Sequence, residues 1–354
     1  MLLLVLPASA CQWDEDTLMM ERVRFPSTME LLTGRFVRHS EKYYTWRIED
    51  RLKKLQQDPN NLEFLDDLAV AYEKTGQTDL AIATARKMLE LQQDRYETLA
   101  NLGTFYVHAG KLEEGAKWIQ KAIEINPDAH FGREKYQLYL VQYLISIPPD
   151  QTAFSNQNGL LKALHVNDIA DRGPAIKGVL GMMRFGNYRS PVLLYTLGTL
   201  LANYHVGYQP ESDAKLLAGR AFLLAAKYTP SAKDQETLRY LATNILQEQY
   251  REGTTIPVTL EEIEQQLETE LLEAEKWYEE LRTKELQWLN DGLDVNAMFA
   301  RLLRHEQLRD SATYVKMVNT KLEVGKVVVI AILTILLTLW WRRLRNRRLA
   351  LHRT

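Results

Sequence analysis

The chain has 354 residues, 44 Lys and Arg against 46 Asp and Glu, and a single cysteine. It is long enough for a repeat array with accessory segments, and one cysteine excludes an intrachain disulfide framework. Six of the basic residues follow Trp341, which leaves 38 basic against 46 acidic residues before it, and that acidic excess argues against a nucleic-acid ligand.

The first ten residues, MLLLVLPASA, are an apolar run ending in an A-x-A pattern, Ala8-Ser9-Ala10, which predicts an export signal. Cys11 follows at once and resembles the lipid-acceptor cysteine of a bacterial lipoprotein, although Ala8 stands where that motif carries leucine. Ordinary cleavage near Ala10 is the alternative to lipidation at Cys11. Residues 11–40 form an N-terminal segment. Residues 41–147 are predicted to be a helical array, and Tyr44, Ile48, Leu52 and Leu55 read as the second helix of a partial unit that ends at Pro59.

A 34-residue echo runs through this array. Asp66, Ala69, Tyr72, Gly76, Ala81, Met88 and Leu91 step onto Ala100, Gly103, Tyr106, Gly110, Gly115, Ala122 and Ile125. A fixed period of this length marks stacked helical hairpins, none of which buries its apolar face alone. Small residues at Ala69/Gly103 and Ala81/Gly115 let paired helices approach closely. Gly76 and Gly110 fall at inter-helix turns that accept a positive φ. Leu102-Gly103, Tyr106, Gly115, Ile119, Ala122 and Pro127 resemble the tetratricopeptide repeat (TPR). So do Leu68-Ala69, Tyr72, Ala81, Ala85, Met88 and Leu89.

The resemblance implies an all-α, TPR-like α-solenoid and a protein-binding role without catalysis, cofactor or metal. It also implies a concave groove lined by Glu63, Asp66, Val70, Glu73 and Lys74 in the first copy and by Glu97, Ala100, Thr104, Val107 and His108 in the second. Asp66 and Val70 replace the Lys/Asn/Arg clamp with which some members hold a C-terminal carboxylate. The implied ligand is therefore a basic or mixed extended peptide, or a partner protein. The stretches LLTGRFVRHSEKYYTWR and NPDAHFGREKYQ are too specific for repeat filler and resemble uncharacterised bacterial membrane-anchored TPR proteins, which supply no activity.

Residues 148–173, with Pro148-Pro149 and a polar run, read as an insertion loop, and a helix is expected from Pro174. Residues 174–250 read as degenerate TPR-like helices, with Leu197-Gly198, Ala218, Phe222, Ala225 and Pro230 at repeat-like positions and eight extra residues around Tyr204–Glu211. Thr259 and Glu262 make a capping box that opens a long acidic helix, about Leu260–Leu289, within a helical pair at 259–320. Its apolar stripe is Leu267, Leu271, Ala274, Tyr278, Leu281 and Trp288. It fits intramolecular packing better than a coiled coil, and its glutamates read as a solvated face.

The uncharged run Val327–Trp341, extended to Val324, predicts a transmembrane helix at 324–341. Trp340-Trp341 would lie at the interface, and the basic tail 342–354 would be cytoplasmic. Both end signals then place the protein in the bacterial inner membrane, single-pass, with its body in the periplasm. His108 and His130 lack a second ligand at helical spacing, and no nucleophile or metal motif is present. Two further functions are weighed against a membrane-anchored scaffold: an accessory subunit of an envelope assembly or secretion complex, and an enzyme with its site in 148–250.

Overall fold

Period, caps and glycine turns of the sequence reappear as helices in a computed structural model, which describes residues 24–202, 211–251 and 259–305. In chain order these are α1 Thr28–Thr33, α2 Glu41–Leu55, α3 Leu62–Lys74, α4 Thr78–Leu91, α5 Tyr96–His108, α6 Leu112–Ile125 and α7 Arg133–Ser146. There follow α8 Gln157–Ala163, α9 Ile169–Met182, α10 Pro191–Ala202, α11 Glu211–Tyr228, α12 Ala232–Arg251 and α13 Leu260–Asn290. The described residues contain no strand. The chain divides into two units, Met1–Met298 and Phe299–Thr354. Of the second, residues 299–305 are described, and they are helical.

Helices α2 to α7 pack each on the next, as hairpin repeats must. Gly76 and Gly110 both sit at φ +75° in the α3–α4 and α5–α6 turns. A Cβ on Gly76 would meet nothing within 4 Å, so its conformation alone demands glycine. Gly76→Ala is expected to cost about 1 kcal/mol, the penalty of the left-handed region for a residue with a Cβ, read as a lower thermal midpoint.

Close approach is most severe in the second hairpin. A Cβ on Gly103 would lie 2.6 Å from Ile119 Cγ1 and 3.1 Å from Gly115 O, and a Cβ on Gly115 would lie 2.5 Å from Val107 Cγ2. The same device recurs at Gly198, where a Cβ would lie 2.6 Å from the Phe222 ring, so α10 and α11 form a repeat-like hairpin. The eight-residue insertion expected between them falls almost wholly outside the described residues.

The largest core lies beyond the repeats. Leu160, Val179, Leu193, Leu200, Phe222, Leu224 and Leu238 are its buried centre, and Leu31, Leu32 and Phe36 from the N-terminal segment join it. This segment therefore packs with the later helices α11 and α13 rather than merely preceding the array.

Three sequence expectations are corrected. Residues 148–173 are not a plain loop: Asn156 Oδ1 accepts the Gly159 N–H at 2.7 Å to cap α8, whose Leu160 is fully buried. Helix α9 starts at Ile169, because Asp168 and Asp171 form a capping box upstream of Pro174, which is inside the helix. In α2 the fully buried side chains are Tyr43 and Arg47, and Arg47 and Arg51 both pair with Asp67 of α3; of the expected stripe, Tyr44 packs on the repeat core while Leu52 is exposed.

Helix α13 opens with the Thr259/Glu262 box and buries Ile263, Leu267, Ala274, Leu281 and Glu285 against the rest of its unit. Its acidic face is not wholly solvated. Arg239, Arg220 and Arg189 pair with Glu264, Glu270 and Glu275 in succession, the second at 3.0 Å and the third at 3.4 Å. Among the described residues no helix is long and apolar enough to cross a membrane. The expected span 324–341, the tail 342–354, the signal-like residues 1–10 and Cys11 lie outside the described residues.

Candidate partner-binding site

The ten groove positions were assigned from the repeat spacing, and most of them are used inside the chain. Val70, Ala100, Thr104 and Val107 are buried to 2% exposure or less. Gln137 of α7 donates to Thr104 Oγ1 at 3.0 Å, and Val107 joins Ile119, Leu138 and Val141 in one cluster. Glu73 and His108, in adjacent repeats, are joined by a hydrogen bond, with side chains 6% and 8% exposed. Lys74 Nζ donates to Phe185 O at 2.6 Å. Of the ten, only Glu63 is exposed, and Glu97 is half-buried beside Arg95.

Asp66 pairs with Arg95 across the two repeats. Burial pushes the Asp66 carboxyl up to about 7 from 3.8, against the lowering effect of Arg95 and with help from Glu97 and Asp67. A folded-state pKa above the unfolded one means that the folded chain holds the proton more tightly, so this contribution is lost as pH rises from about 4 to about 7. In Asp66→Asn the fall in urea midpoint over that range is expected to be shallower than in the parent. Parallel curves for the two proteins would contradict the shift.

The accessible surface lies instead at the helix ends. A cavity of about 600 Å³ opens between the end of α4, the start of α5 and the last two turns of α6. Leu89, Leu99, Trp118 and Ile125 supply its apolar wall, and Glu90, Asp94 and Glu124 stand around it against one cation, Lys121. Lys121 Nζ lies 4.4 Å from the centre of the Trp118 ring, so its charge is partly engaged by the indole face. The Trp118 indole N–H meets no acceptor among the described residues. Ile125 is 45% exposed, and Leu91, its counterpart one repeat earlier, is 42% exposed.

The sequence held one signal for this site. Most echoed apolar pairs, such as Met88/Ala122, are buried, whereas Leu91/Ile125 keeps its apolar character on the surface, where packing does not require it. Trp118 has no counterpart in the first repeat, where Thr84 stands, so periodicity could not single it out.

The family model for the tetratricopeptide repeat matches residues 62–95 and 96–129. Residues 62–129 are two tetratricopeptide repeats. The matched TPR units coincide with the hairpins α3–α4 and α5–α6, whose glycine turns share one φ value. No curated protein matches the chain. TPR units generally mediate protein–protein interaction. Here the helix-end cavity, rather than the filled inner face, presents free apolar and charged surface.

Proposed function

We propose that this chain is a non-catalytic docking protein that holds a partner protein at the helix-end cavity of its two TPR units. One observation carries the reading: an apolar cavity with a net acidic surround, lined by Trp118 and Ile125, on a pair of repeats of a protein-binding family. A partner segment with one large apolar anchor flanked by lysine or arginine fits it, the anchor burying against Trp118 while the flanking charges meet Glu90, Asp94 and Glu124. Glu63 and Glu97, the acidic groove positions still open to water, favour the same basic partner.

The body is proposed to sit in the periplasm of a bacterial inner membrane, anchored by residues 324–341. The uncharged run Val327–Trp341, the Trp pair at its end and the six arginines after it support this topology. Partner capture and anchoring together describe a membrane-tethered scaffold.

A photo-crosslinking residue placed at Ile125 in the full chain in cells tests the docking. A discrete covalent adduct is expected, with a yield at least tenfold lower when Glu90, Asp94 and Glu124 are reversed to lysine. An absent adduct, or one indifferent to the reversal, removes the cavity as the partner site. Protease added to spheroplasts tests the topology separately: the TPR region should be degraded, and its survival would refute a periplasmic body.

A further inference from the structure

The two stretches that are too specific for repeat filler meet at one place in the fold. From LLTGRFVRHSEKYYTWR come Phe36, Val37, Arg38, His39 and Tyr44. They wall a cavity of about 210 Å³ whose other side is Met183–Asn187. From NPDAHFGREKYQ comes Arg133, its guanidinium 4.7 Å above the Phe185 ring. Met183–Asn187 is a π-helical turn that continues α9, a widened geometry that is rare and recurs at functional sites. Lys74 enters from the end of α3 and bonds the Phe185 and Gly186 carbonyls at 2.6 and 3.3 Å.

The charge of this cavity is one-sided. Arg38, Lys74 and Arg184 line it, and the one carboxylate among its lining residues, Glu41, is exposed to solvent. Main-chain carbonyls help to hold each cation: Arg184 bonds Val37 O, Arg38 bonds Gly34 O and, at 3.3 Å, Phe36 O, and Lys74 is placed as described. A carbonyl orients a cation without cancelling its charge. Arg38 is further fixed by the Tyr278 ring, 3.5 Å from its guanidinium carbon, and by Tyr188 Oη at 3.2 Å. Burial and the Arg38 charge push Arg184 down to about 9, partly offset by Tyr44 and Glu30. These groups are preorganised by packing, as a binding site requires.

We propose that this cavity, walled by Arg38, Lys74, Arg184 and the π-turn, binds a phosphate group, either as free inorganic phosphate or carried on a side chain of a partner. Three cations against one carboxylate match the charge of about −1.5 to −2 that a phosphate carries near neutral pH better than the single charge of a carboxylate. A cavity of about 210 Å³ has room for a phosphate and a few hydration waters. The site does not depend on the docking cavity and stands or falls separately.

Calorimetric titration of the full chain in detergent tests it, with inorganic phosphate in one arm and doubly capped phosphoserine in the other, at fixed ionic strength. Saturable heat from phosphate that weakens at least tenfold in Lys74→Gln supports a free-ion site. Saturable heat from capped phosphoserine alone, with the same loss in Lys74→Gln, supports a carried group. Lys74 is half-buried at a helix end, and an unchanged circular-dichroism melt certifies that the variant is folded. Arg38→Lys, which keeps the charge but loses the planar fork, is expected to weaken binding less than Lys74→Gln and gives a second variant should that one unfold. No saturable heat in either arm, or heat unaltered in a folded Lys74→Gln, overturns the proposal.

Discussion

Gly115→Ala is expected to destabilise the chain by about 2 to 3 kcal/mol, although helix propensity alone predicts a gain of about 1 kcal/mol for the same change. Gly115 lies within α6, where a methyl group ordinarily helps by reducing the freedom of the unfolded chain. Here the new Cβ would lie 2.5 Å from Val107 Cγ2, 2.9 Å from Gly103 O and 3.1 Å from Val107 N. Two of those three atoms are backbone, so relief requires α5 and α6 to move apart, which opens the cluster of Val107, Ile119, Leu138 and Val141. The clash therefore outweighs the propensity. Gly103→Ala meets the same interface and should not add to Gly115→Ala, because one separation of the helices accommodates both methyls. Urea unfolding of the two single variants and the double measures sign and coupling. A stabilised Gly115→Ala would mean that the helices are not in contact at this point.

That reversal shows what the sequence made legible. The 34-residue echo marked Gly103, Gly115, Gly76 and Gly110 by spacing alone, and the structure gives each a steric or conformational reason. The same argument extended to Gly198 and Phe222, although their hairpin lies outside the matched repeats. The long helix was legible for another reason: its start is a local motif, Thr259 with Glu262, and its stripe follows helical spacing.

What periodicity could not supply was long-range and polar. Leu31, Leu32 and Phe36 join a core built by helices about 100 to 240 residues later, and nothing local records that pairing. The groove positions lie on α3 and α5, but Gln137, Phe185 and Gly186 come from elsewhere to occupy Thr104 and Lys74. A position-by-position reading of one repeat describes its face before the rest of the chain has packed on it. The face of α2 was legible only in part: Tyr44 packs on the repeat core, but Arg47 and Arg51 dock ionically on Asp67, and a pattern that counts apolar residues does not register them.

Glu285→Ala should cost about 3 to 5 kcal/mol and release α13 before the repeats unfold. Glu285 is 1% exposed near the end of α13. Its carboxylate accepts the Ser40 N–H at 3.0 Å, at the N-cap of α2, and shares a 2.7 Å hydrogen bond with His39 Nδ1, whose ring stacks on Tyr43 at 3.7 Å. A carboxylate at a helix N-terminus gains from the unpaired N–H groups there, so Glu285 ties α13 and α2 together by charge as well as by packing. Removing it strands both the Ser40 N–H and the His39 ring in a dry interior. Of the three arginine pairs nearer the start of α13, Arg189–Glu275 and Arg239–Glu264 are about half-exposed on at least one partner and are each worth at most about 1 kcal/mol, too little to hold the helix alone, whereas Arg220–Glu270 is more buried. Hydrogen exchange resolves the order of events: in Glu285→Ala the amides of α13 should exchange faster by at least a hundredfold, while those of α5 and α6 keep their protection. Equal acceleration in α13 and the repeats would mean that the two unfold as one unit, and that Glu285 secures the whole array rather than the helix that carries it.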